Sequence, residues 1–139
     1  GCMLWGKAHS QYNEASMGYV GNGTDNFEWQ ISKNDRGWNF HNLVGFMESH
    51  DEERLNYKNL AFGNSNASYD ATDLPTALDR LEAAGAFFFT VPGPKMIWQF
   101  GEVGYDYSIN FPSNTAESLT APKPVKGDYK NWKKIQKFF

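Results

Sequence analysis

Four polar residues in a row, Glu48, Ser49, His50 and Asp51, cut short an apolar stretch that starts at Leu43. Carboxylates beside an imidazole are groups for hydrogen bonding and proton transfer. Their placement matters as much as their type. A strand of a parallel sheet is covered on both faces and reads as a continuous apolar run, so polar groups at its carboxyl end stand at the ligand-binding rim of the sheet. The pattern predicts chemistry at His50 and Asp51. A second apolar run, residues 95 to 100, passes directly into Gly101-Glu102-Val103-Gly104 and delivers another carboxylate in the same manner. Two strands that each end in an acid predict one shared site.

The elements that must hold these groups can be read outward from them. Residues 2 to 6, Cys-Met-Leu-Trp-Gly, read as a short buried strand with no turn or cap before it, as expected of a chain entered in mid-domain. Residues 7 to 42 are polar and rich in Gly and Asn, a long excursion with helical turns expected near positions 13 to 17 and 26 to 31; a loop of that length is usually functional. Residues 52 to 62 predict a helix with Leu55, Leu60 and Ala61 loosely spaced. The clearest helix follows. Asp70, Thr72 and Asp73 offer caps, Pro75 suits a first turn, and Ala77, Leu78, Leu81, Ala84, Gly85 and Phe88 recur at helical intervals. The prolines of Val91-Pro92-Gly93-Pro94 end that helix and turn the chain into the second apolar run. An irregular stretch then leads to a last helix predicted over residues 128 to 139. Strands alternating with helices predict βα units and a parallel sheet.

Bulk composition narrows the function. At 139 residues with 40% hydrophobic content, the chain has the makings of one modest domain with a real core. A net charge of −3 and a pI near 5.6 argue against a nucleic-acid surface, which would show a basic stripe. Six of the thirteen basic residues fall in the last seventeen positions, a pattern expected of a solvated helix face. A single cysteine, Cys2, excludes an internal disulfide and a cysteine-rich metal site. No run approaches the roughly 20 apolar residues needed to cross a bilayer. Aromatic content of 17% is high, and flat rings of this kind serve both core packing and the lining of sugar clefts.

Three blocks together resemble glycoside hydrolase family 13, the α-amylase family. Phe46-Met47-Glu48-Ser49-His50-Asp51-Glu52-Glu53-Arg54 is similar to the family's segment at the seventh barrel strand, whose usual core is an Asn-His-Asp triplet. The helix of residues 76 to 90 and the following Thr90-Val91-Pro92-Gly93-Pro94-Lys95-Met96-Ile97-Trp98 resemble its seventh helix and eighth strand. Gly101-Glu102-Val103-Gly104 resembles its Gly-x-Glu-x-Gly segment. The match is dense over residues 42 to 106 and looser over 1 to 41 and 107 to 139. It implies an α/β fold, the C-terminal portion of a (β/α)8 TIM barrel: strand six and a long loop in 1 to 41, strands seven and eight in 42 to 106, a closing helix in 107 to 139. A complete barrel takes about 250 residues. The family's nucleophilic Asp and acid/base Glu belong to strands four and five, and no Gly-x-Arg-x-Asp segment occurs in these residues.

The resemblance implies a retaining α-glucan-active hydrolase in which Asp51 is the third, transition-state-stabilising carboxylate and His50 a substrate donor. Glu48, Arg54, Glu102 and Tyr105 are the further substrate-binding positions it suggests. The residues themselves leave alternatives: His50 and Asp51 as caps of a helix starting near residue 52, Glu48 in an ion pair with Arg54, Glu102 as a brace between rim loops, and Trp98 in barrel packing. His9 and His41 have no ligand-like partners nearby and are expected in solvent or loop contacts. Starch, glycogen or a maltooligosaccharide is the implied partner, together with the rest of the barrel. No metal site is expected here, although the family's full-length enzymes use calcium on earlier loops. Secretion or a periplasmic location follows by family analogy only. Ser49 in place of the usual Asn leaves an α-1,4-glucan branching enzyme as the alternative, and a non-catalytic carbohydrate-binding module is the rival class.

Overall fold

A computed structural model describes residues 2–21 and 23–125. The helix predicted for residues 128 to 139 lies outside them. Strand β1 (Leu4–Lys7) pairs in parallel with β2 (Leu43–Phe46), with Leu4 opposite Leu43 and Lys7 opposite Phe46. A single parallel bridge between Gly45 and Lys95 sets a third segment on the far side of β2. The three pieces therefore run the same way in chain order, with every rim residue at one end. Between β1 and β2 the chain forms α1 (His9–Met17) and a short α2 (Glu28–Ile31); after β2 comes α3 (Leu55–Phe62). A small antiparallel pair, β3 (Ser65–Asn66) and β4 (Tyr69–Asp70), leads to the long α4 (Leu74–Thr90).

Two expectations about strands need correction. Residues 2 to 6 do not form a buried strand: Met3, Leu4 and Trp5 are exposed, because among the described residues β1 is paired on one side only. Residues 95 to 100 do not make a full strand either. Their ladder consists of Gly45 N–H donating to the Pro94 carbonyl at 3.0 Å and Met96 N–H donating to the Gly45 carbonyl at 2.9 Å. Beyond that point β2 has ended and the chain turns at Gln99, whose carbonyl accepts from the Arg54 side chain at 2.9 Å instead of from a neighbouring strand.

The core lies where the helices meet the back of the sheet. Ala8, Tyr12, Leu55 and Phe88 form its buried centre, with Phe27, Met47, Leu81 and Ala84 packed around them. Tyr12 meets Phe27 edge-on at 5.0 Å and Phe88 at 5.8 Å, the geometry that ring quadrupoles favour. Helix α4 begins where its sequence says. The Asp73 carboxylate accepts from Thr76 N–H at 3.1 Å and from the Thr76 hydroxyl at 2.9 Å, and Pro75 occupies the first turn, where a missing N–H costs nothing. Its buried face is Ala77, Leu78, Gly85 and Phe88, four of the six residues that carry the period.

Past α4 the chain is irregular but tied down. The Lys95 ammonium donates to the carbonyls of Val91 at 2.6 Å and Gly93 at 2.7 Å, closing the turn between helix and sheet. Gly93 adopts φ +105, a conformation open to glycine, and lies against the Leu43 carbonyl. Among the described residues no helix is long and apolar enough to cross a membrane.

Candidate functional site

The rim is built by seven consecutive residues, 48 to 54, which leave the end of β2 and enter α3. Glu48 turns inward. Its Oε2 accepts from Arg54 Nη1 at 2.9 Å, and the two side chains are only 9% and 6% exposed. Burial pushes the Glu48 carboxyl upward from its usual range, while the guanidinium beside it pulls the other way. The same Arg54 Nη1 also donates to the Gln99 carbonyl, and the guanidinium carbon lies 4.9 Å from the centre of the Tyr105 ring. Glu48 and Arg54, for which the resemblance implies sugar contact, are paired with each other in this structure. The alternative read from the residues, a structural ion pair, is what the geometry contains.

Asp51 and His50 do the opposite. Their side chains are 57% and 75% exposed, and they stand 3.8 Å apart, His50 Nδ1 to Asp51 Oδ1. The Ser49 hydroxyl donates to Asp51 Oδ1 at 2.7 Å, and this bond holds the Asp51 carboxyl below its ordinary range, so it is ionised at neutral pH. Neither residue caps a helix. Helix α3 starts at Leu55 with Arg54 in the cap position and no side-chain cap, which leaves Asp51 well upstream of it.

The second carboxylate arrives beside the first. Gly101 packs directly against the Glu48 carboxylate: a Cβ at position 101 would sit 2.9 Å from Glu48 Oε1. Glu102 lies in the short 3-10 turn Gly101–Val103 and is near enough to Glu48 to raise its pKa. Gly104, at φ +68, ends that turn in the left-handed region, which is the service expected of a bracketing glycine. Its carbonyl accepts from Asn56 Nδ2 at 2.5 Å, so α3 holds this turn from below. Tyr105 is buried, stacked 5.8 Å from Phe100, with its hydroxyl donating to the Pro124 carbonyl at 2.6 Å. Burial raises its pKa. It is therefore a wall, and its hydroxyl is committed to the protein.

Trp98 is half-buried, its ring 5.9 Å from that of His50. His50, Trp98, Gln99, Arg54, Tyr105 and Lys123 share the lining of a cavity of about 380 Å3, open to solvent and within the roughly 300–1,000 Å3 range of small-molecule sites. Its far wall is the irregular stretch 108 to 125, stitched by Lys123, which donates to the carbonyls of Ser118, Leu119 and Ala121.

Two residues escaped the sequence reading. Glu53 accepts from the Ser108 hydroxyl at 2.7 Å and from Ile109 N–H at 2.9 Å, tying the rim to the chain beyond Tyr105. Glu52 pairs with Lys7 Nζ at 2.5 Å and His9 Nε2 at 2.8 Å, tying it to the end of β1. His9 is thus not a residue of solvent or casual loop contacts. Nothing in the spacing announces either bond, since the partners lie more than forty residues away. The only signal was the acidic density of 48 to 53 itself.

Among the described residues no cluster of His, Cys, Asp or Glu is arranged to hold a metal ion. Neither a family model nor a curated protein matches the chain.

Proposed function

We propose that these residues form part of a retaining α-glucan-active glycoside hydrolase of the α-amylase type, with the fold of the C-terminal portion of a (β/α)8 barrel. One observation carries the reading. The segment bridged at Lys95 runs parallel to β2 on its far side, and just beyond it the Trp98 ring lies 5.9 Å from that of His50, whose neighbour Asp51 stands 3.8 Å away. Asp51, ionised and exposed, is suited to hold sugar hydroxyls and to favour the positively charged, flattened ring of the transition state. His50 is the neighbouring donor, and Trp98 presents an aromatic face. Glu48 and Arg54 frame this site from below, with Tyr105 as a side wall.

Two alternatives differ in how they stand. A stand-alone carbohydrate-binding module should be dominated by antiparallel strands; the pairing that positions this rim is parallel, which favours the enzyme reading. A branching enzyme shares the same mouth and differs in the acceptor, and Ser49 keeps it as the second reading. The attacking and protonating carboxylates belong to the remainder of the barrel in either case.

The test is turnover of a chromogenic maltooligosaccharide by the complete gene product carrying Asp51→Asn. Loss of one group that acts mainly on the transition state costs about 100- to 1,000-fold in kcat. Unaltered turnover removes Asp51 from the site. Assay of transferred as against released glucose units then separates branching from hydrolysis.

A further inference from the structure

Asp51 is poorly fixed by its own bonds. Among the described residues its side-chain hydrogen bond is to Ser49, two residues away on the same turn, and such a bond shapes the turn without fixing it relative to the sheet. The next residue supplies what is missing. Glu52 is nearly buried, and its two carboxylate oxygens go to different partners on either side of Ala8: Oε1 to Lys7, the last residue of β1, and Oε2 to His9, the first residue of α1. The His9 ring is turned fully toward this acid. Its Nε2 lies against Glu52 while its Nδ1 is buried with no hydrogen-bond partner among the described residues.

As a source of stability this cluster is weak. Lys7 is 61% exposed, and an exposed ion pair contributes only about 0–1 kcal/mol, against which stands the cost of desolvating Glu52. What it does supply is position. Because β1 and β2 are hydrogen-bonded neighbours, a link from Glu52 to the β1 end crosses the β2 rim and anchors the turn to the sheet. Glu53 makes the matching link on the other flank, to Ser108 and Ile109.

We infer that Glu52 is a positioning residue for the proposed sugar site, its carboxylate gripped by Lys7 and His9 so that the peptide carrying His50 and Asp51 is set at the mouth. The inference rests on the α-glucan reading for its consequence in turnover, but its geometric content stands apart from it.

The experiment uses the complete gene product with Glu52→Ala, Glu52→Gln and Asp51→Asn in parallel. Kinetics on the chromogenic maltooligosaccharide are read with amide hydrogen exchange across residues 49 to 52 and across α4. A misplacement of the order of 1 Å costs roughly 100-fold, so Glu52→Ala is expected to lower kcat by about that factor. KM should change by no more than about twofold, since the loss is confined to the transition state. Glu52→Gln, which keeps the shape and a hydrogen-bonding amide, should recover most of the rate. Exchange at 49 to 52 should quicken in Glu52→Ala while α4 is unchanged. Wild-type kcat and wild-type exchange in Glu52→Ala overturn the inference. So does a general loss in which α4 exchange rises too, for that is a folding defect. If Asp51→Asn keeps full turnover, the α-glucan reading falls, and the exchange at 49 to 52 alone decides whether Glu52 sets the turn.

Discussion

Within seven residues the rim contains two populations that behave in opposite ways. Glu48, Glu52, Glu53 and Arg54 are buried or half-buried and bind β1, the 95–101 segment and the 108–109 turn. His50 and Asp51, between them, are exposed; the Asp51 carboxylate accepts from its neighbour Ser49, and the His50 ring faces that of Trp98. A charge that is buried must be satisfied by the protein, whereas a charge meant for a ligand has to remain accessible to it. Residue type therefore does not separate the buried, paired groups from the accessible ones; burial and the reach of the bonds do.

The sharpest way to break that distinction is to remove a brace. Arg54→Met leaves Glu48 buried without its partner, and breaking a buried pair typically costs about 3–5 kcal/mol. A denaturant melt should register that loss, and it should ease on acidification, because a protonated Glu48 no longer needs the cation. The working group should respond in the other currency. Asp51→Asn, expected on the proposed function to lower turnover, should move stability by less than about 0.5 kcal/mol in the same melt, as surface substitutions usually do. A large stability loss from Asp51→Asn, or none from Arg54→Met, would erase the contrast.

Smaller effects sharpen it. Asp73→Ala removes the α4 cap and should cost about 1 kcal/mol with no change in turnover, since α4 supports the rim only through the core. The pH response of His9 is expected to be smaller still. Desolvation lowers its pKa below the ordinary 6.5, with Glu52 and Asp51 opposing and Lys7 reinforcing that shift. The unfolded chain therefore takes up the proton first, so stability falls as pH drops below about 6.5. A His9→Gln variant should flatten that part of a pH-dependent melt; an identical slope in both proteins would show that His9 does not titrate as placed.

The contrast also marks what could be read in the sequence. Helix α4 was legible because its causes are local: a cap three residues from its donor, a proline in the first turn, a 3.6-residue period. The polar end of β2 and the Gly-bracketed turn were legible for the same reason. Strand extent was not, because the length of a ladder depends on what lies beside it, and the 95–100 run has no ladder past Met96, where β2 has already ended. Glu52, Glu53 and His9 were missed because their meaning resides in partners 43 to 56 residues distant. Glu48 and Arg54 were read both ways, and their ion pair became visible only in the structure. The charge pattern marked the rim; which of its residues are buried and paired, and with what, needed three dimensions.

Position 101 illustrates how sharply such an arrangement restricts variation. With bare backbone abutting the Glu48 carboxylate, even a methyl group there would press on the one acid that neutralises Arg54, and Arg54 in turn holds the Gln99 carbonyl. In a saturation library, side chains at 101 should be less tolerated than at Ile97, four residues earlier and exposed, in proportion to how firmly Arg54 keeps the Glu48 carboxylate from swinging aside.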